Sequence, residues 1–143
     1  MKTYTAIALV VCAAFIALAS TASQAQAMIK ANVPFEFCAG NGNLPAGEYS
    51  IQKVSNGNLT LVLSGNHGGG FILPQTSAMR PGISTPKLVF HRYGDEYFLA
   101  EIWSSKDDEV ITLQATPRER QLAQSATPQD AVVYAELASA NVK

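Results

Sequence analysis

The chain has 143 residues, with 10 Lys and Arg against 11 Asp and Glu and a formal net charge of −1. That balance excludes the basic footprint of a nucleic-acid binder, or of a protein held to an anionic membrane by charge. Two cysteines, Cys12 and Cys38, are too few for a disulfide-stapled scaffold.

The N-terminus has the layout of a secretory leader. Lys2 supplies the positive charge, and Ala6 to Ala19 is an unbroken apolar run of 14 residues. Ala25-Gln26-Ala27 then offers small residues where a signal peptidase reads. The run falls short of the roughly 20 residues that span a bilayer as a helix. Residues 1–27 are therefore expected to be a signal peptide cleaved after Ala27, and residues 28–143 a single β-rich domain, secreted or periplasmic, with no membrane span. Leu9-Val10-Val11 before Cys12 is not a lipobox, so no lipid anchor is expected. Only Cys38 outlasts cleavage, and it reads as a small buried hydrophobe.

Past the leader the apolar residues recur with a period of two. Ala31, Val33, Phe35 and Phe37 alternate with polar residues and Pro34, which predicts a strand at an edge or one carrying a bulge, because proline cannot donate to a ladder. Cys38 to Gly47 reads as turn material and Glu48 to Val54 as a second strand. Asn56-Gly57 is a two-residue hairpin signal, followed by a third strand carrying Leu59, Leu61 and Leu63. Ser64 to Gly70 reads as a loop, Phe71 to Leu73 as a short strand, and Pro74 to Pro86 as an irregular connection.

Lys87 to Tyr93 and Glu96 to Trp103 flank Gly94-Asp95, a Gly-first pair suited to a type II′ turn. The turn sets the register: His91 opposite Phe98, Phe90 opposite Leu99, Arg92 opposite Tyr97. Strict alternation places Leu88, Phe90, Arg92, Tyr97, Leu99 and Glu101 on one face, and Val89, His91, Tyr93, Phe98, Ala100 and Ile102 on the other. Neither face is cleanly polar, which predicts a central hairpin covered on both sides. Val110 to Leu113 is a further strand. Thr116-Pro117-Arg118-Glu119 reads as a helix start, with Thr as cap, Pro at the first position and Glu bonding back. That helix is expected to end near Ala123 or Gln124 and to lie over the sheet through Leu122 and Ala123. Ala131 to Leu137 reads as a last strand, with Thr127-Pro128-Gln129-Asp130 as the competing helix cap. The sum is an all-β fold, a small antiparallel barrel or sandwich of seven to eight strands with one short helix.

The densest polar cluster is His91-Arg92-Tyr93-Gly94-Asp95-Glu96-Tyr97. Neighbouring strand residues point to opposite faces, so His91 and Arg92 cannot converge on one substrate. Arg92 is expected over the Tyr97 ring as a cation–π pair. The glycine-rich stretch around His67 lacks the following helix and lysine of a phosphate loop. Two histidines and one cysteine, widely spaced, make no zinc signature, and Asp107-Asp108-Glu109 lacks calcium-loop spacing. Asn58-Leu59-Thr60 matches a glycosylation acceptor but reads as hairpin closure. No catalytic, metal or cofactor residues are assigned. His91, Arg92, Tyr93, Tyr97 and Trp103 are the candidate ligand-binding residues.

Val33-Pro34-Phe35-Glu36-Phe37, Leu44-Pro45-Ala46-Gly47-Glu48-Tyr49 and Leu88 to Leu99, with Arg118-Glu119-Arg120 later, together resemble a family of small uncharacterised exported bacterial proteins. The resemblance implies a shared β-rich domain behind a signal peptide and carries over no functional residue. The functional expectation is a non-enzymatic exported β-domain. It would bind a small apolar ligand, or pack with an envelope protein through an edge at Ala31 to Phe37. The rival expectation is a hydrolase using His91 with Glu96 or Asp95.

Overall fold

A computed structural model describes residues 27–40, 42–55 and 59–137. The leader expected over residues 1–27 lies outside them except for Ala27, as do the Asn56-Gly57 turn and the Asn58 acceptor. Among the described residues eleven strands and one helix follow in order: β1 (Ala27–Val33), β2 (Phe37–Ala39), β3 (Gly42–Leu44), β4 (Gly47–Ser55), β5 (Leu59–Gly65), β6 (Gly68–Ile72), β7 (Pro74–Met79), β8 (Lys87–Tyr93), β9 (Glu96–Ser104), β10 (Glu109–Leu113), α1 (Pro117–Ala123) and β11 (Gln129–Leu137). The all-β expectation holds, with more strands than the seven or eight foreseen, and the sheet curls into a nearly closed barrel.

Around the barrel the order is β3-β2-β9-β8-β11-β1-β4-β5-β6, and β10 joins the β9 edge that β2 leaves free and carries β7 on its far side. Every pairing is antiparallel except the parallel β2–β9 contact at Cys38 and Phe98. Only Leu73 separates β6 from β7. One length of chain, Gly68–Met79, thus pairs with β5 and then passes to β10. Pro74 sits at the changeover, where a missing N–H does least harm. Two seams without ladder pairing remain among the described residues, between β3 and β6 and between β5 and β7.

Side chains fill the interior. Ile29, Val33, Tyr49, Ile51, Leu61, Leu63, Leu88, Phe90, Ile102 and Ile111 are almost fully buried in one core. At one mouth Phe35 stacks on Tyr97 (3.8 Å between centroids, 14°) and meets Phe90 edge-on at 5.0 Å, and Phe37 stands edge-on to both Tyr49 and Phe90. The Tyr49 hydroxyl donates to the Pro45 carbonyl at 2.5 Å, tying the β3–β4 corner to the core. At the other end Lys53 of β4 reaches inward to Glu109 of β10 (Nζ–Oε2 2.9 Å, Nζ–Oε1 3.2 Å), and Ser77 of β7 donates to the same carboxylate. This bridge crosses the β5–β7 seam from inside. Burial pushes the Glu109 carboxyl up, but the hydrogen bonds from Ser77 and Lys53 and the Lys53 charge outweigh it and hold it below the ordinary carboxylate range.

Several expectations are corrected here. Ala31 to Phe37 is not an edge: β1 pairs with β11 on one side and β4 on the other, and the chain breaks at Pro34 before β2. Cys38 to Gly47 contains the three-residue hairpin β2–β3. Ser64 to Gly70 is paired strand on both sides of an Asn66-His67 turn, and Pro74–Met79 is a strand. The β8–β9 hairpin has the expected register as far as Phe90 opposite Leu99, and Gly94 carries the positive φ (62°) that a Gly-first turn needs. Beyond that pair a bulge leaves Ala100 unpaired, so Val89 faces Glu101 and Leu88 faces Ile102. The extra residue turns Ile102 into the core beside Leu99 and sends Glu101 outside. The last strand forms, and Thr127 to Asp130 caps no helix.

A Cβ at Gly69 would lie 2.4 Å from the Leu63 carbonyl oxygen, whereas one at Gly70 meets nothing within 4 Å. Gly69→Ala should therefore force β6 away from β5 and cost about 1–3 kcal/mol, with Gly70→Ala within about 0.5 kcal/mol of the parent; urea midpoints of the two variants check this. Glu109 titrates lower folded than unfolded, so its contribution is present above the unfolded value of about 4.3 and is lost as pH falls through the folded one. Stability should drop on acidification below about pH 4. Glu109→Gln should flatten that drop and cost about 1–3 kcal/mol at pH 7 by stranding Lys53; denaturation curves across pH read both effects.

Candidate functional site

Strand pairing sets a polar row across the outer face of the barrel. Asp130 of β11 lies opposite His91 of β8, His91 opposite Phe98 of β9, Phe98 beside Cys38 of β2, and Cys38 opposite Asn43 of β3. Helix α1 docks on this row. Thr116 caps it, its hydroxyl accepting from the Glu119 backbone N–H at 3.1 Å, with Pro117 in the first turn. The expected return bond of a capping box is replaced: the Glu119 carboxylate, only 5% exposed, reaches His91 Nδ1 at 2.7 Å. A second tie is bidentate and exposed, with Arg118 Nη2 and Nε donating to the two Glu96 carboxylate oxygens at 2.6 and 3.1 Å. The Arg118 hydrogen bonds hold the Glu96 carboxyl below its ordinary range against some burial, and the Arg118 charge adds to them. The helix contact is thus made by Glu119, not by the expected Leu122 and Ala123; Leu122 is half-buried and Ala123 exposed.

The five candidate ligand-binding residues do not gather. His91 and Tyr93 face outward near α1, Tyr93 edge-on to Phe98 at 5.9 Å. Burial pushes the Tyr93 hydroxyl up, and the Glu119 charge adds to the push. Arg92 and Tyr97 belong to the mouth: the exposed guanidinium lies over the Tyr97 ring at 5.6 Å, as expected, while its Nε donates to the Gly94 carbonyl at 2.7 Å. Trp103 sits at the far end of β9, its Nε1 donating to Glu101 at 2.8 Å. Lys87 Nζ stands 4.1 Å and the Arg80 guanidinium 5.4 Å from its ring centroid.

The row next to α1 resembles a nucleophile, a base and an orienting carboxylate in composition but not in chemistry. The buried Phe98 stands between Cys38 and His91 in the ladder. Burial pushes the half-buried Cys38 thiol up, and the charges of Glu119 and Glu96 push it further. An activated cysteine requires the reverse shift. A cleft of about 520 Å³ opens beside the row, lined by Glu36, Cys38, Asn43, Asp95, Glu96 and Arg118. No group of three His, Cys, Asp or Glu side chains that could hold a metal ion occurs among the described residues. No helix there is long and apolar enough to cross a membrane.

Sequence reasoning missed Glu119 as the partner of His91, naming Glu96 and Asp95 instead. The only signal was the Thr-x-x-Glu spacing, which was spent on the cap. Comparison with protein-family models, with curated proteins and with solved structures finds no match for this chain.

The short α1 makes its one buried contact through Glu119. Glu119→Ala should cost about 1–2 kcal/mol, the loss of a charged hydrogen bond discounted for the half-exposed imidazole. Amide exchange across residues 117–123 should accelerate more than exchange in β1 or β4, and equal rates would contradict this docking.

Proposed function

We propose that the protein is an exported, non-enzymatic β-barrel domain that works by binding through its outer surface within the cell envelope or outside the cell. The leader pattern of residues 1–27 supports export. The observation that carries the rest is the filled interior: inward side chains from Ile29 to Ile111 occupy the space in which a ligand-carrying barrel of this size would keep a cavity. Binding of a small apolar ligand inside the barrel is thereby disfavoured. A partner would meet the outer face, where Phe71, Leu73, Met79 and Tyr134 stand exposed.

The hydrolase reading keeps one observation, the carboxylate on His91 Nδ1, which orients the ring and leaves its other nitrogen for proton transfer. It lacks an activated nucleophile within reach of that ring, and the surface-binding reading is the better supported. Native mass spectrometry of the protein purified from its own host tests the choice. The expected spectrum shows the chain without a small apolar ligand; a stoichiometric apolar adduct would overturn the surface reading.

A further inference from the structure

A second region of the outer face, away from α1, carries a built arrangement. Strand register sets Tyr134 of β11 opposite Lys87 of β8, and Lys87 opposite Trp103 of β9. Arg80 enters from the loop after β7 and also lies over the Trp103 ring. Its position is pinned from both directions: the Arg80 backbone N–H donates to the Asp108 carbonyl at 2.6 Å, and the Ile83 N–H donates to the Asp108 carboxylate at 3.1 Å. Trp103 is held in turn by Glu101. Two cations therefore converge on one indole, and among the described residues neither has a carboxylate in ion-pair range. Two cations on an indole whose edge is held by the Glu101 carboxylate leave an excess of positive charge that favours an external anion.

On the other side of Tyr134 the surface changes character. The ring is 71% exposed and borders an open groove of about 430 Å³ lined by Lys30, Asn32, Glu48 and Glu136. An exposed aromatic face flanked by amide, carboxylate and ammonium groups suits a ring that is apolar on its face and rich in hydroxyls at its rim. With strands about 4.8 Å apart, groove, Tyr134, Lys87 and Trp103 span five strands, on the order of 20 Å. That length fits a few linked rings rather than a single small molecule.

We propose that the strip Tyr134–Lys87–Trp103–Arg80, with the adjoining Asn32–Glu136 groove, binds an acidic polysaccharide, Tyr134 stacking on a sugar ring and Lys87 with Arg80 taking a carboxylate. The proposal rests on the surface-binding reading and names its ligand class. An anionic membrane fits less well, because a flat bilayer would press headgroups on Glu48, Glu101 and Glu136 along with the cations, whereas a chain of rings can turn hydroxyls to those carboxylates and an acid group to Lys87 and Arg80. An acidic peptide would use the cations but leave the hydroxyl-matching groove idle.

Calorimetric titration of the protein from its own host with polygalacturonate oligomers tests this, with methyl-esterified oligomers of the same backbone as the uncharged comparison. Binding should be weakened about tenfold or more by esterification, by Lys87→Gln with Arg80→Gln, and by Tyr134→Ala, and should weaken with added salt. Gln121→Ala, on the exposed side of α1 away from the strip, should bind as the parent does, and circular dichroism of each variant checks that it folds. Equal binding of the esterified oligomers, no effect of the strip variants, or no binding of polygalacturonate would each overturn the proposal. So would strip-dependent binding to phosphatidylglycerol vesicles or to polyglutamate in place of the sugar. None of these outcomes alters the ligand-free mass expected above, so the two readings fail separately.

Discussion

The barrel depends on one length of chain changing partners in mid-course. Gly68–Met79 completes the β5 edge with its first half and the β10 edge with its second, and the switch falls at Leu73-Pro74. Without that handover the sheet would be an open ribbon with two long free edges, an aggregation hazard for any soluble protein. Glycines of β5 and β6 serve the same end, because Gly65 and Gly69 let the Tyr49 ring and the Leu63 carbonyl approach where a Cβ would collide. Where the ladder lapses, side chains take over. Lys53, Glu109 and Ser77 link β4, β10 and β7 behind the β5–β7 seam, and the buried carboxylate stays ionised because two donors and a cation offset its desolvation. Ser104, across the ladder from Glu109, has a fully buried hydroxyl with no partner among the described residues.

The elements legible in the sequence were those whose two faces differ. The β8–β9 hairpin, β4, β5, β10 and β11 all alternate strongly, and the Gly94-Asp95 turn set a register that the structure keeps through Phe90 and Leu99. Past that point one unpaired alanine reverses the parity. Ala100 has no feature that distinguishes a bulge from a paired residue, yet it puts Ile102 inside and Glu101 outside, while Val89, Tyr93 and Phe98 stay buried on the outer face as expected of a hairpin covered on both sides. The strands missed, β2, β3 and β7, and the glycine half of β6 are short or carry glycine, threonine and serine, and β6 and β7 exist because a neighbour offers a ladder rather than because they bury a face. Pro34 was taken for an edge marker and is instead the break between two strands paired on both sides.

The candidate site was less legible, for a geometric reason. Sequence adjacency collected His91, Arg92, Tyr93 and Tyr97 into one cluster, and the pleat divided them. His91 and Tyr93 went out toward α1, while Arg92 and Tyr97 closed the mouth over Phe35. The groups that do meet come from strands and loops far apart in the chain: His91 with Glu119, Trp103 with Lys87 and Arg80. Local spacing carries no signal for such pairs. The Thr-x-x-Glu spacing even pointed Glu119 elsewhere, since a helix of seven residues has little else with which to dock.

A filled interior and a divided polar cluster lead to the same place. A barrel that spends its inward positions on its own core has only its outer face for recognition. There the two halves are unlike. Around His91 the outer face is occupied by the protein itself: α1 lies on it, Glu119 takes Nδ1 of the imidazole, and Arg118 takes Glu96. Around Trp103 the outward Val89 and Val110 are buried, and the charges there, Lys87 and Arg80, lie over an aromatic ring rather than on a carboxylate. A cation over an indole keeps most of its capacity to attract an anion, whereas a cation in a bidentate ion pair does not. The half of the surface that is free to recognise something is therefore the half without the histidine.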